Sequence, residues 1–186
     1  MLIRISTLQA QHWSEVLSLQ DTAYAHLGPE PADVMHSKWQ VSPDTCFVAH
    51  QNDSLLGYVL AHPWAHPVPP ALYQPTRPHE AQGSWMFIHD MAVAPEARGR
   101  GVAHLLFEPV LVQARHARKQ GMLLVAVQGS TRFWHNLGFE PVRSVTPDLS
   151  SYGEHACLMQ RTLSQELIPP IEPPQRADAK NPIICV

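Results

Sequence analysis

The sequence predicts a single α/β domain built on a mixed sheet, and two observations lead there. First, 186 residues with 45% apolar content can bury one core and fall short of what two independent cores usually need. Second, stretches with strand-like alternation and stretches with helical spacing follow one another as strands, then strand, helix, strand, helix, then strands, with no internal repeat. Helices interleaved with strands imply a sheet with helices packed against it.

Leu2 to Ser6 reads as a strand. Ala10 to Ala25 reads as a helix with Trp13, Val16 and Leu17 inward and Gln20 and Tyr24 on the same side. Glu30 to Trp39 is a second, less regular helix. Thr45 to His50 and Leu55 to His62 are strands joined by the turn-forming run Gln51, Asn52, Asp53 and Ser54. Trp85 to Val93 is a third long strand. The turn from Ala94 to Gly99 leads into a helix, Arg100 to Lys119, with Val102, Leu105, Leu106, Val110, Ala114 and Ala117 on one stripe. Pro109 should kink or split that helix by removing the bond to Leu105, and Gly121 should end it. Leu123 to Val127 is short and continuously apolar, as a strand covered on both faces is. A short helix, Ser130 to Leu137, stops at Gly138, and strands are expected at Phe139 to Val145 and His155 to Leu163.

Composition excludes several classes of partner. With 13 basic against 16 acidic residues the net charge is −3, so no basic excess exists to hold a nucleic acid by counterion release. Cys46, Cys157 and Cys185 are odd in number and far apart, which suits a reduced, cytoplasmic protein. The first eleven residues lack the apolar run of a cleaved leader, and Met122 to Val127 is far shorter than the ~20 residues of a membrane-spanning helix. The twelve histidines show no metal-ligand spacing with cysteine or carboxylate, so no metal is expected.

Proline divides the chain further. Of 18 prolines, six lie between Pro63 and Pro78 and five between Pro169 and Pro182. Proline lacks a backbone donor and fixes φ, so neither stretch should be helix or central strand. The expected organisation is one domain over residues 1–163, interrupted by a long loop over 63–84, followed by a solvated tail over 164–186. The tail's apolar finish, Ile183, Ile184 and Val186, is the one ground for a homodimer contact.

The most informative segment is Arg98, Gly99, Arg100, Gly101, Val102, Ala103, where a strand gives way to an amphipathic helix. Glycines there let successive amides turn toward one point, the helix N-terminus adds partial positive charge, and the two arginines suit a diphosphate. Alone, the same residues equally describe a plain tight turn. The lysine and hydroxyl of a nucleoside-triphosphate loop are missing, as is the G-x-G-x-x-G spacing of dinucleotide binders.

Context favours the anion. The run FIHDMAVAPEARGRGVAHLLF, Phe87 to Phe107, resembles motif A of the GNAT superfamily of acyl-CoA-dependent N-acyltransferases: a strand, then R/Q-x-x-G-x-G/A, then a helix. Arg98, Gly101 and Ala103 fill its fixed positions. Downstream, FWHNLGFEPV, Phe133 to Val142, resembles motif B, FY-x-x-x-GF. The resemblance covers about Ile3 to Leu163. It implies a mostly antiparallel sheet of six to seven strands, about four helices, and acetyl-CoA as co-substrate. Within the superfamily, FIHDMAV is similar to the HLHALAV strand of the arylalkylamine N-acetyltransferases, with His89 on the second histidine. CFVA and LLGYVLAHPW extend that likeness upstream.

The resemblance also implies roles. Backbone groups of Met91, Ala92 and Val93 would hold the pantetheine arm, with the Met91 N–H facing the thioester oxygen. Arg98, Gly99, Arg100, Gly101, Val102 and Ala103 would hold the pyrophosphate, and Trp134 of motif B would lie against the cofactor. An alkylammonium must lose a proton before it attacks, and His89 can take it near neutral pH. Asp90 is the competing base and His62 a relay. Strand alternation puts Phe87, His89, Met91 and Val93 on one face and Asp90 on the other.

Two matters stay open at this stage. Trp134 replaces the tyrosine that commonly protonates the leaving thiolate, and indole has no useful acidity. That role falls to water, His135, Ser130 or Tyr152. The acceptor pocket is expected from Tyr24, Trp39, Trp64, Phe87 and His89, with Tyr73 and Trp85 as further walls and Glu30, Asp33 or Glu80 for a cation. Those walls suit a small aromatic or apolar amine; other small amines, a protein N-terminus or lysine, and a non-catalytic acyl-CoA-binding module are the alternatives.

Overall fold

The structure is a computed structural model that describes residues 2–26, 28–65, 68–144 and 147–164. The expected tail, beyond Ser164, lies outside the described residues, as do Val145 and two positions of the long loop. Seven strands form one sheet: β1 (Arg4–Thr7), β2 (Phe47–Gln51), β3 (Ser54–Trp64), β4 (Trp85–Val93), β5 (Gly121–Ala126), β6 (Glu140–Pro141) and β7 (Cys157–Thr162). Four helices accompany it: α1 (Trp13–Ala23), α2 (Ala32–Val41), α3 (Val102–His116) and α4 (Thr131–Asn136). The strand order is β1-β2-β3-β4-β5-β7-β6. Neighbours are antiparallel except β4 and β5, which run parallel.

Helix α3 supplies the crossover between those two parallel strands, as the parallel pairing requires. Its buried side includes Val102, Leu106, Val110 and Ala114 of the predicted stripe and adds Ala103, Phe107 and Leu111, whereas Leu105 is half-buried and Ala117, beyond the helix, is exposed. The two faces of the sheet separate at β3. A Cβ on Gly57 would meet Leu106 and Val102 of α3, while the next residue, Tyr58, reaches the carboxylate that α1 also touches. Adjacent strand residues point to opposite faces, so α3 and α1 cover opposite sides.

Three local expectations are corrected. Pro109 neither splits α3 nor ends it: the helix is continuous over Val102–His116. Gly121 does not terminate α3 but opens β5. Arg118 takes the left-handed conformation (φ 51°) at the helix end, and the Lys119 amide donates to Ala114 O at 2.9 Å. Gly121 is needed for space, since a Cβ there would strike the Trp85 ring and sit 2.6 Å from Arg161 O. Pro63 belongs to β3, opposite Met86. Proline is accepted there because β2 pairs with β3 only as far as Val59, leaving that end of the strand an unladdered edge.

Candidate active site

The site begins with a mismatch between strands. Opposite β3, Asp90 faces Leu60 and Ile88 faces Ala61, so His89 is an extra residue: a β-bulge. Opposite β5, pairing ends at Ile88 with Leu124. Beyond that point β4 continues along β3 to Val93, and β5 continues along β7 to Ala126. The two parallel strands therefore part at the bulge, and one edge of β4 from His89 onward opens into the gap. The Ala94 amide donates to Leu56 O directly opposite it, so by the alternation of an antiparallel ladder Ala92 commits its backbone to Tyr58 of β3 while Met91 and Val93 turn theirs to the open edge; their side chains are buried, so what they can offer a ligand is backbone.

The bulge also overturns the alternation argument. Bulges re-aim side chains, and His89 and Asp90, expected on opposite faces, both line one cavity of about 250 Å³. Tyr24 at the C-cap of α1, Glu30 from the α1–α2 connection, Leu72 and Tyr73 from the long loop, and Tyr152 from the β6–β7 connection complete most of its wall.

Two buried polar arrays meet there. In one, the His89 Nε2 lies 2.8 Å from Glu30 Oε2. The other carboxylate oxygen, Oε1, accepts from the Tyr73 amide at 2.7 Å and from Lys38 Nζ at 3.3 Å. Lys38 is fully buried and donates also to Gln74 O at 3.2 Å. Burial opposes ionisation of Glu30, but His89 and Lys38 beside it prevail and hold it down at about 2. Burial likewise lowers the pKa of Lys38 and of His89, with Glu30 opposing the fall in both. His62 stacks 6.0 Å from His89, and burial pushes it down to about 3.

In the second array, Asp90 accepts from the hydroxyls of Tyr24 at 2.5 Å and Tyr58 at 2.6 Å. Burial nonetheless raises it to about 7, with both tyrosines acting against the rise. A carboxylate balanced near neutrality by desolvation and two donors can accept or release a proton at working pH.

The turn before α3 has the features a diphosphate needs. Gly99 and Gly101 take positive φ (72° and 78°), and a Cβ on either would meet nothing within 4 Å, so backbone conformation and not crowding calls for glycine there. Gly101 is the N-cap of α3 and no side chain caps the helix, leaving its first amides for an anion. The Arg98 Nε is buried without a partner among the described residues. Arg100 is exposed and donates to Gln51 Oε1 at 2.7 Å. These residues fit an acyl-CoA pyrophosphate.

Other predicted residues fall elsewhere. Trp134 is fully buried among Phe107, Phe133 and Phe139, with its indole N–H unpartnered, so it is core. His135 is exposed and pairs with Glu140 at 3.1 Å, outside the cavity. Trp39 donates to Leu8 O and packs on Trp13, Trp64 donates to Val68 O, and Phe87 is fully buried against His62 and His89. None of these three lines the cavity; Tyr24 and His89 do. Trp85 packs on Gly121, and Asp33 and Glu80 are also absent from the wall. Sequence reasoning missed Lys38 and Tyr58 altogether. Among the described residues no three metal-ligating side chains converge, and no helix is long and apolar enough to cross a membrane.

A parallel strand pair that parts beside an uncapped helix start, over a buried acid–base cluster, is the arrangement the motif A resemblance implies for an acyl-CoA-dependent transferase. The chain belongs to the acetyltransferase (GNAT) family, whose model matches residues 13–139; it is an acetyltransferase that uses acetyl-CoA. No curated protein matches the chain by sequence. Among solved structures it is similar to Ard1 from Thermoplasma volcanium, at 15% identity and TM-score 0.68 over 88% of this chain and 99% of that one. It is also similar to the ribosomal-protein-S18-alanine N-acetyltransferase from Escherichia coli, at 15% identity and TM-score 0.61 over 88% and 95%. A third is a GNAT family acetyltransferase from Brucella melitensis in complex with acetyl-CoA, at 16% identity and TM-score 0.55 over 97% and 96%. At these identities the likeness is one of fold.

Proposed function

We propose that the enzyme acetylates a small primary amine with an aromatic or apolar body, by direct attack within a ternary complex. The observation that carries this reading is the bulge, which sets His89 and Asp90 side by side in one open-mouthed cavity at the point where β4 leaves β5. A volume of about 250 Å³ lies just under the usual range of small-molecule pockets. Leu72, Tyr24, Tyr73 and Tyr152 give it an apolar and aromatic wall. The arylalkylamine-like strand sequence around His89 agrees with that chemistry.

Acetyl-CoA supplies an activated acetyl thioester. Arg98 and the amides of Gly99 to Ala103 would hold its pyrophosphate, and the open edge at Met91 and Val93 its pantetheine arm. The Met91 N–H is the donor for the thioester oxygen; one such donor is worth about 3 kcal/mol in the transition state. His89, kept neutral by burial, takes the proton that the attacking amine sheds. Asp90, balanced near neutrality, receives the proton of an incoming ammonium. Water supplies the proton for the departing thiolate.

Turnover of acetyl-CoA with a panel of arylalkylamines, aliphatic amines, amino acids and peptides tests the reading. The arylalkylamines should give the highest kcat/KM. A preference for peptides would move the acceptor to a protein terminus, and coenzyme binding with no turnover of any amine would leave a binding module.

A further inference from the structure

We infer that Glu30 is the positioning residue of the catalytic histidine: its carboxylate fixes the His89 ring so that Nε2 carries the hydrogen and Nδ1 presents the lone pair that accepts the substrate proton. This rests on the reading of His89 as base and adds the group that makes it one.

The argument is geometric. Glu30 stands 59 residues from His89 in sequence, and its Oε2 is 2.8 Å from Nε2. An ionised carboxylate only accepts, so the hydrogen between them belongs to Nε2. In the neutral ring that assignment leaves Nδ1 as the acceptor, and Nδ1 is buried with no partner among the described residues. A buried nitrogen without a partner is costly, and such costs concentrate where a substrate completes the bonding.

Glu30 is itself over-determined. The Tyr73 amide and Lys38 Nζ both hold Oε1, and the Gln20 side-chain amide, in its swapped orientation, pairs with the Glu30 backbone N and O at 3.1 and 3.2 Å. Its side chain is only 7% exposed. Lys38 has no other carboxylate within ion-pair distance in the structure as described, and a lysine this deeply buried would be expensive without one. Its placement is accounted for by keeping Glu30 ionised and aimed. The remaining titratable groups around His89 are His62 on β3, Asp90 on β4, and Tyr24, Tyr73 and Tyr152 around the cavity.

Glu30 raises the His89 pKa against burial, by charge and by hydrogen bond. Glu30→Gln removes the charge, so the His89 pKa should fall and the acid limb of kcat/KM should move to lower pH. The weaker, unoriented base should lower kcat by about a hundredfold while KM for acetyl-CoA stays put. A purely structural role would not move the limb. The second measurement needs neither substrate nor turnover. Histidine ring nitrogens of the full chain are labelled with nitrogen-15, and the His89 signals are assigned by their loss in His89→Gln. The expected wild-type spectrum at neutral pH has hydrogen on Nε2 and none on Nδ1. Hydrogen on Nδ1, or a folded Glu30→Gln variant with unchanged kcat and acid limb, overturns the inference. Absence of amine turnover with the Nε2 tautomer present overturns the proposed reaction and leaves the Glu30–His89 assignment standing.

Discussion

The two halves of this site are made of different materials. On the cofactor side, the turn from Arg98 to Ala103 and the open edge of β4 offer mainly backbone amides, shaped by Gly99 and Gly101 at positive φ. On the acceptor side, the cavity gathers side chains from α1, the α1–α2 connection, the long loop, β4 and the β6–β7 connection, with buried carboxylates and a histidine. The first half is damaged chiefly by changing backbone conformation, with Arg98 its main side-chain contribution, and the second by changing single atoms. Substitutions should therefore separate them kinetically: acceptor-side changes act on kcat, cofactor-side changes on KM for acetyl-CoA.

The largest expected effect is His89→Ala. Removing a positioned general base costs about 10²- to 10⁴-fold, and steady-state kinetics should place that loss in kcat. If the variant keeps full activity, the comparison fails on its acceptor side and Asp90 becomes the base. Next comes Gly101→Val on the other side. A non-glycine residue at φ 78° carries about 1–2 kcal/mol of backbone strain, and a β-branched side chain is among the least tolerant. KM for acetyl-CoA should rise about tenfold as the turn relaxes, with kcat at saturation nearly kept; isothermal titration with coenzyme A gives the same comparison without turnover.

That division also explains what the sequence could and could not reveal. A backbone-built site is local: a strand, two glycines and an amphipathic helix follow one another within about twenty residues, so Phe87 to Phe107 carries the fold in its sequence, together with the positive-φ glycine turn before α3. The four helices show in the sequence because each is a local pattern, whereas the strand order β1-β2-β3-β4-β5-β7-β6 comes from the structure alone. The acceptor side is assembled across 59 residues in the Glu30–His89 pair and 66 in the Tyr24–Asp90 pair, and no periodicity encodes such distances. Asp90 was put on the wrong face because a bulge adds one residue to a period of two. Strand alternation groups Phe87 with His89, and position on the helix pair and the long loop groups Trp39 and Trp64 with the pocket, but aromatic character is common to core and cavity and these three pack elsewhere. Lys38 carried no signal, since an isolated lysine on a helix normally reads as solvated.

The two carboxylates of the cavity should answer pH with opposite signs. Asp90 is raised from 3.8 to about 7 when folded. The folded chain binds that proton more tightly, so its contribution to stability is present below 3.8 and is lost as pH rises through about 7. Glu30 is lowered from 4.5 to about 2; its contribution is present above 4.5 and is lost as pH falls through about 2. Thermal unfolding from pH 4 to pH 8 should fall less steeply in Asp90→Asn than in wild type. Glu30→Gln should destabilise the fold most at neutral pH, and the difference from wild type should shrink toward pH 2. Parallel behaviour of the two variants would mean that the arrays are not separate.

The smallest effect belongs to His135→Ala, and it bears on the proton that the departing thiolate must collect. His135 sits in the last turn of α4, exposed, engaged with Glu140. Its neighbour Trp134 occupies the position of a tyrosine in the family motif but is packed inside with three phenylalanines. Tyr152 reaches the cavity, yet its hydroxyl donates to Pro70 O at 2.5 Å and burial pushes its pKa up, both of which oppose proton release. A thiol with a reference pKa of about 8.5 leaves as a tolerable thiolate near neutral pH, so a dedicated acid gains little there. His135→Ala should change kcat by less than about twofold across pH 7 to 9, and a solvent-isotope measurement should find the same value in variant and wild type. A drop of tenfold or more would show that α4 swings its exposed histidine toward the split in the working enzyme.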